Sequence, residues 1–371
     1  MAGTGVSTPL LVIFSLSTVS FLHFAVSQKI PAIFIFGDST ADVGTNNFID
    51  SKAKADHPYY GMDFPNSKPT GRFSNGYNTA DFLSILFGFK RSPCPFLALL
   101  NDTKLFKRHI QYGVNFASGG SGILNSTGKL VVSICFFTHL LKETGTAVHL
   151  SEQLQQYVTV HQNLTVMLGE KATASILCNS LFFISAGSND IFEYYKTNKT
   201  SGMPKFITSL ISTYEDQLKT LFNNGARKFG IASVPPIGCC PKLRAKNDTG
   251  GCLNDVDVYS RMFFTKLKAM LIKLQDEYGG TMKYSLGNTY EMVSLIITNP
   301  LLYGFKNVTG ACCKEKFCLP SGSVCPNRDE YLFWDQFHPT QKAAELGALT
   351  LYGASQTFVT PVNFSRLFLN D

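Results

Sequence analysis

Apolar residues along this chain follow two alternating patterns. The first is a short unbroken run, as at residues 32–36, 112–117, 181–185, 229–234 and 283–286. Runs of that length, flanked by turn-forming residues, predict strands. The second is recurrence at three- and four-residue steps. Phe206, Leu210, Ile211, Tyr214, Leu218, Leu221 and Phe222 form one such series, and Tyr259, Met262, Phe263, Leu267, Met270, Leu271 and Leu274 another. Both predict helices with an apolar core face, and a last helix is expected over residues 340–351. Strands apolar on both faces, separated by amphipathic helices, imply an α/β fold with a parallel sheet covered by helices on both sides.

In such sheets ligands sit beyond the carboxyl ends of the strands. Three of the predicted strands run into small, polar residues: Gly37-Asp38-Ser39, Ser118-Gly119-Gly120-Ser121-Gly122 and Gly187-Ser188-Asn189-Asp190. Each alone is ordinary turn chemistry. Their convergence on one edge marks that edge as the candidate site. Ser39 offers a hydroxyl there, which becomes a nucleophile only if an oriented base takes its proton. Asp335 and His338, in "WDQFHPT", supply that pair at a spacing that lets the carboxylate reach one ring nitrogen across a turn. Acyl transfer also needs donors for the developing oxyanion. The backbone N–H groups of Gly119 and Ser39 and the side-chain amide of Asn189 are candidates.

Other chemistries lack their signatures. The chain contains no G-x-S-x-G elbow, no H-E-x-x-H metal motif, no Walker A loop and no G-x-G-x-x-G fingerprint. No cofactor or metal is therefore expected. The formal charge is +7, but the Lys and Arg residues are scattered, which argues against a nucleic-acid partner.

The N-terminus adds a destination. Residues 2–28 contain no Asp, Glu, Lys or Arg, residues 10–26 are largely apolar, and Ala25-Val26-Ser27 places small residues where a signal peptidase reads. A secretory signal peptide over residues 1–27 is expected, followed by one domain over residues 28–371 with no later membrane span. An uncleaved anchor is the rival reading. Seven N-x-S/T sequons, at Asn101, Asn125, Asn163, Asn198, Asn247, Asn307 and Asn363, fit secretion and glycosylation. So do ten cysteines, of which Cys239, Cys240 and Cys252, and Cys312, Cys313, Cys318 and Cys325, form clusters that read as disulfides. Cys94, Cys135 and Cys178 are isolated and read as buried thiols.

Taken in order, "FIFGDSTADVGTNN", "GVNFASGGSGIL", "FFISAGSNDI" and "FWDQFHPT", with "PNSKPTGRFSNGYNTADF" and "SVPPIGC" between them, resemble the GDSL esterase/lipase family, or SGNH hydrolases, in its secreted plant form. The resemblance spans nearly all of the chain after residue 27. It implies a three-layer α/β/α, flavodoxin-like fold and cofactor-independent hydrolysis of lipid or small acyl esters. By position, Ser39 matches the nucleophile, His338 the base, Asp335 its partner, and Gly119 and Asn189 the oxyanion donors. Two other functions remain open, an acetylesterase of cell-wall polysaccharide and a non-catalytic secreted binding glycoprotein. The complete set of reactive positions argues against the second. One stretch departs from the family pattern: residues 130–147, "LVVSICFFTHLLKETGTA", intervene where the family passes quickly on. They are either a cap over the acyl pocket or retained non-coding sequence.

Overall fold

The computed structural model describes residues 30–128, 147–198, 202–315, 318–319 and 321–369. The signal-peptide expectation, Cys135 and residues 130–146 lie outside them. Four parallel strands, β1 (Ile33–Gly37), β2 (Leu181–Ser185), β3 (Lys228–Ala232) and β4 (Lys283–Gly287), form the sheet. A smaller sheet pairs β5 (Asn307–Ala311) with β6 (Tyr331–Phe333), and β7 (Val359–Thr360) lies antiparallel on the far edge of the main sheet, giving the order β1-β2-β3-β4-β7.

Helices α1 (Thr79–Leu86), α2 (Phe96–Leu99), α3 (Thr103–His109), α4 (Leu150–Leu168), α5 (Glu170–Cys178) and α6 (Ser188–Asn198) come first along the chain. They are followed by α7 (Met203–Asn223), α8 (Pro241–Arg244), α9 (Asn254–Glu277), α10 (Thr289–Thr298) and α11 (Gln341–Gly353). The two periodic series of the sequence lie in α7 and α9, and Thr340 caps α11 by accepting from the Ala343 N–H. No helix among the described residues is long and apolar enough to cross a membrane.

Alternation along the strands builds the three layers. Phe34, Phe36, Phe182, Ile184, Phe229 and Ile231 face a core shared with α4, α7 and α9. Ile33, Ile35, Leu181 and Phe183 face the opposite core, shared with α1, α11 and the C-terminal residues Phe364 and Leu367. With both faces covered, every β1 residue is buried, which is why these strands read as unbroken apolar runs.

One expected strand is absent. Residues 112–117 run parallel beside β1 and exchange backbone hydrogen bonds with Ile35, but they make only isolated bridges. Gly113 sits at φ +107° in the left-handed region, where a Cβ would meet the Ile33 carbonyl at 1.9 Å. On its other side Asn115 donates to the Cys94 carbonyl and accepts from the Phe96 N–H, and the pairing goes no further because Phe96 begins α2. The second of the three converging strand ends is therefore a loop docked on β1.

A third apolar cluster, of Tyr60, Phe73, Trp334 and the cysteines, packs beside the sheet. Disulfides join Cys312 to Cys325, Cys313 to Cys318 and Cys239 to Cys252. Cys240 is left free and buried, while Cys94 and Cys178 are only partly buried, contrary to expectation, because they sit at element ends rather than in the core.

The "GRFSNGYNTADF" block makes a buried ion pair. Arg72 Nε and Nη2 donate to Asp81 Oδ2 and Oδ1 at 2.6 and 2.8 Å, and Asp81 completes the capping box at the start of α1. Replacing one partner of such a pair strands the other charge. Arg72→Met should lower the unfolding free energy by about 3–5 kcal/mol, measured by denaturant titration with the disulfides intact. A loss below about 1 kcal/mol, the range of exposed ion pairs, would contradict this.

Candidate active site

β1 ends at Gly37, at φ +133°, where a Cβ would lie 2.0 Å from the Ser185 carbonyl of β2. Only glycine fits there. The chain then makes a single helical turn, in which the Ala41 and Asp42 N–H groups donate to the Asp38 carbonyl. No long helix follows this turn. Ser39 stands on this turn, 9% exposed at the wall of a cavity of about 710 Å³.

His338 arrives from the other end of the chain. Its Nε2 lies 2.7 Å from Ser39 Oγ, and its Nδ1 lies 2.7 Å from Asp335 Oδ2. Asp335 is buried and accepts further hydrogen bonds from the N–H groups of Phe337 and His338 and from the Tyr60 hydroxyl, each at 2.8 Å. Behind it, Cys312 and Cys313 donate from their backbones to Phe333 and Trp334, so the two disulfides of that cluster brace the strand that presents the pair. Burial opposes charge on both groups, but their mutual attraction prevails. Asp335 is held below its usual carboxylate range, and His338 is raised above 6.5 by the Asp335 charge and hydrogen bond, with a further push from Asp38. A hydroxyl, an imidazole and a carboxylate in this relay can pass a proton from Oγ to Nε2 while the carboxylate stabilises the cation that forms.

The chain also matches known proteins. The model of the family described as GDSL-like lipase/acylhydrolase covers residues 33–349. A GDSL esterase/lipase of Arabidopsis thaliana is 36% identical over 354 residues, spanning 91% of this chain and 90% of its own length. A second from the same plant is 35% identical over 339 residues, with 88% and 90% covered. This chain belongs to the GDSL lipase/acylhydrolase family. As a GDSL esterase/lipase it is a carboxylic ester hydrolase on an α/β fold.

The GDSL motif does more than place a serine. Asp42, buried, accepts from the N–H groups of Gly44, Thr45 and Gly119, and Asn46 donates to the Gly119 carbonyl while accepting from Ser118 Oγ. Burial pushes the Asp42 carboxyl up to about 6 against the pull of those donors. The motif thus fastens the second loop to the first. This corrects the expectation for Gly119. Its N–H is committed to Asp42 Oδ2 at 2.9 Å, and it is not in the cavity wall. Gly120, at φ +85°, lines the cavity instead, and its N–H has no partner among the described residues, nor has that of Ser39.

The third loop is fastened the same way. Asn189 lines the cavity and gives one amide hydrogen to the Ser121 carbonyl at 2.9 Å, leaving its second free to point elsewhere. Asp190 accepts from the Ile123 and Leu124 N–H groups and from Thr127 Oγ1. The GDSL hydrolase also uses a residue that the sequence reading passed over. Gln153 of α4 is fully buried, and its amide accepts from the Gly37 N–H and donates to the carbonyls of Gly37 and Val148 and to Ser121 Oγ. A glutamine among helical polar residues gives no sign of this in the sequence.

The sequons differ in exposure. Asn101 and Asn125 are exposed, and Asn163, Asn247, Asn307 and Asn363 are partly buried. Asn247 and Asn363 already use their side-chain nitrogens as donors, to Gly251 and Cys252 and to Ala354. The side chain of Asn198 lies outside the described residues.

Proposed function

We propose that this ester hydrolase works through a Ser39-His338-Asp335 triad and an acyl-enzyme intermediate. The observation that carries the reading is the unbroken line of contacts from Ser39 Oγ through both ring nitrogens of His338 to the Asp335 carboxylate. Ser39 Oγ attacks the ester carbonyl and its proton passes to His338 Nε2. The developing oxyanion is met by the N–H groups of Ser39 and Gly120 and the free amide hydrogen of Asn189. As the carbon–oxygen bond to the alcohol breaks, His338 returns the proton to the leaving oxygen. Water then repeats the sequence: it gives a proton to His338, its oxygen bonds to the acyl carbon, and the proton passes back to Ser39 as the acid departs. Each oxyanion donor is worth about 3–4 kcal/mol in related sites.

The same reading assigns residues 1–27 to a cleaved signal peptide and places the mature single-domain enzyme outside the cell. The apolar, charge-free leader, the three disulfides and the exposed sequons at Asn101 and Asn125 support it. The mature product should begin at Gln28 and lose apparent mass on glycosidase treatment, and recovery of an intact Met1 on a membrane-bound product would overturn the secreted reading.

Ser39→Ala should remove nearly all turnover of a short acyl ester, and covalent labelling by a fluorophosphonate, while circular dichroism stays unchanged. A folded variant that keeps more than a small fraction of wild-type turnover would exclude Ser39 as nucleophile.

The pH profile tests the base. His338 acts only when neutral, so kcat/KM should rise with pH through a midpoint above the ordinary 6.5. Asp335→Asn removes the charge that holds the proton on, leaving burial to favour the neutral ring. The midpoint should therefore move down while turnover falls by orders of magnitude. An unchanged midpoint would show that Asp335 does not act on His338.

A further inference from the structure

Tyr60 lies outside both segments that carry the reactive groups, yet its hydroxyl donates to Asp335 Oδ2 at 2.8 Å across 275 residues of sequence. Oδ2 is also the carboxylate oxygen closer to His338 Nδ1, at 2.7 Å against 2.9 Å for Oδ1. The other donors to this carboxylate, the N–H groups of Phe337 and His338 and the imidazole itself, belong to the same short turn. Among the described residues, Tyr60 is the donor that reaches Asp335 from elsewhere in the chain.

The phenol is held firmly. Tyr60 is 2% exposed, and its ring meets those of His57 and Phe73 edge-on, with centroids 5.2 and 5.9 Å apart. Phe73 in turn lies against the His338 ring at 5.0 Å. Three residues beyond Tyr60, Asp63 accepts from Arg328 Nε and Nη2 at 2.6 and 2.7 Å, which ties this segment to the chain just ahead of β6 and Asp335. Burial and the Asp335 charge push the Tyr60 hydroxyl well above its usual range, so it stays protonated and a donor at neutral pH.

We infer that Tyr60 is a positioning residue for ester hydrolysis: its hydroxyl takes up part of the Asp335 charge and so sets how tightly His338 holds its proton. The inference rests on the Ser39-His338-Asp335 reading above and goes beyond it by assigning a fourth group, which acts through the carboxylate and not on the substrate. A donor shared with a carboxylate disperses its negative charge and weakens its pull on a neighbouring cation. With Tyr60 in place the carboxylate still orients the imidazole, but the imidazole gives up its proton at a lower pH than a carboxylate without that donor would allow. The base is then neutral over more of the pH range, as its task requires. The other titratable groups around the pair are Asp38 on the turn after β1, His57 against the Tyr60 ring, Cys240 ahead of α8, and Lys196, Lys242 and Tyr303 in the cavity wall. Removing the Tyr60 oxygen alters none of them.

The test is the pH dependence of Tyr60→Phe, which keeps the buried ring. Asp335 Oδ2 keeps its bond from His338, so no buried acceptor is orphaned and the fold should survive, as circular dichroism would show. The midpoint of kcat/KM for p-nitrophenyl acetate, and that of the rate of fluorophosphonate labelling, should both move up by about half a pH unit or more, with the loss of rate largest on the acid side. That direction is opposite to the one expected of Asp335→Asn. Once Asp335 is replaced by Asn, no charge remains to be shared, and adding Tyr60→Phe should leave the labelling midpoint where the single variant put it. An unchanged midpoint in folded Tyr60→Phe, with or without an equal loss of rate at every pH, overturns the inference, as does an equal upward shift in the Asp335→Asn background. Labelling retained by Ser39→Ala would instead remove the nucleophile assignment, so the two failures are distinct.

Discussion

The structure turns on the backbone of one residue without a side chain. Gly37 ends β1 so close to β2 that a single methyl group would collide with the Ser185 carbonyl. Its N–H and C=O are both taken by the buried amide of Gln153, and its carbonyl also accepts from the Ser118 N–H. One residue thus joins β1, β2, the Ser118–Gly122 loop and α4. A serine placed two residues later has its position fixed by the core of the protein, not by the flexibility of a surface loop. Fixed geometry of this kind is what acyl transfer needs, because donors and nucleophile do most when no reorganisation is required of them.

Around that point the motif residues act mainly on one another. Asp42 and Asn46 hold the glycine loop, Asp190 holds the segment that follows it, and Tyr60 and two disulfides stand behind Asp335. The polar residues of the blocks divide into a few that face the cavity and more that keep those few in register. Buried networks of this sort are stable only when their members are satisfied together, which explains why the chemistry-bearing stretches are rich in Asp and Asn, residues that accept from several backbone N–H groups at once.

The sheet was legible in the sequence because its strands are covered on both faces, and burial writes itself as a continuous apolar run. The Asp335–His338 contact was legible because a three-residue spacing lets the carboxylate reach the ring across a turn. The failures have physical reasons too. Residues 112–117 have strand composition, but pairing depends on the partner, and the segment across Asn115 turns into α2 at Phe96. Gly119 and Gly120 are identical in composition, and only the loop's three-dimensional path decides which N–H faces Asp42. Gln153 was invisible because its four hydrogen bonds go to residues between 5 and 116 positions away. The small sheet of β5 and β6 was missed because its strands are short and only partly buried.

Ser39 and the imidazole that faces it are 299 residues apart in the chain. Synthesis delivers the serine early and the histidine near the end, and a domain generally folds as a unit. On the proposed triad, the hydroxyl has no base until residue 338 has left the ribosome and the small sheet has closed. Hydrolytic competence is thereby a property of the finished chain. A product terminated before residue 338 would carry the serine without the imidazole that faces it.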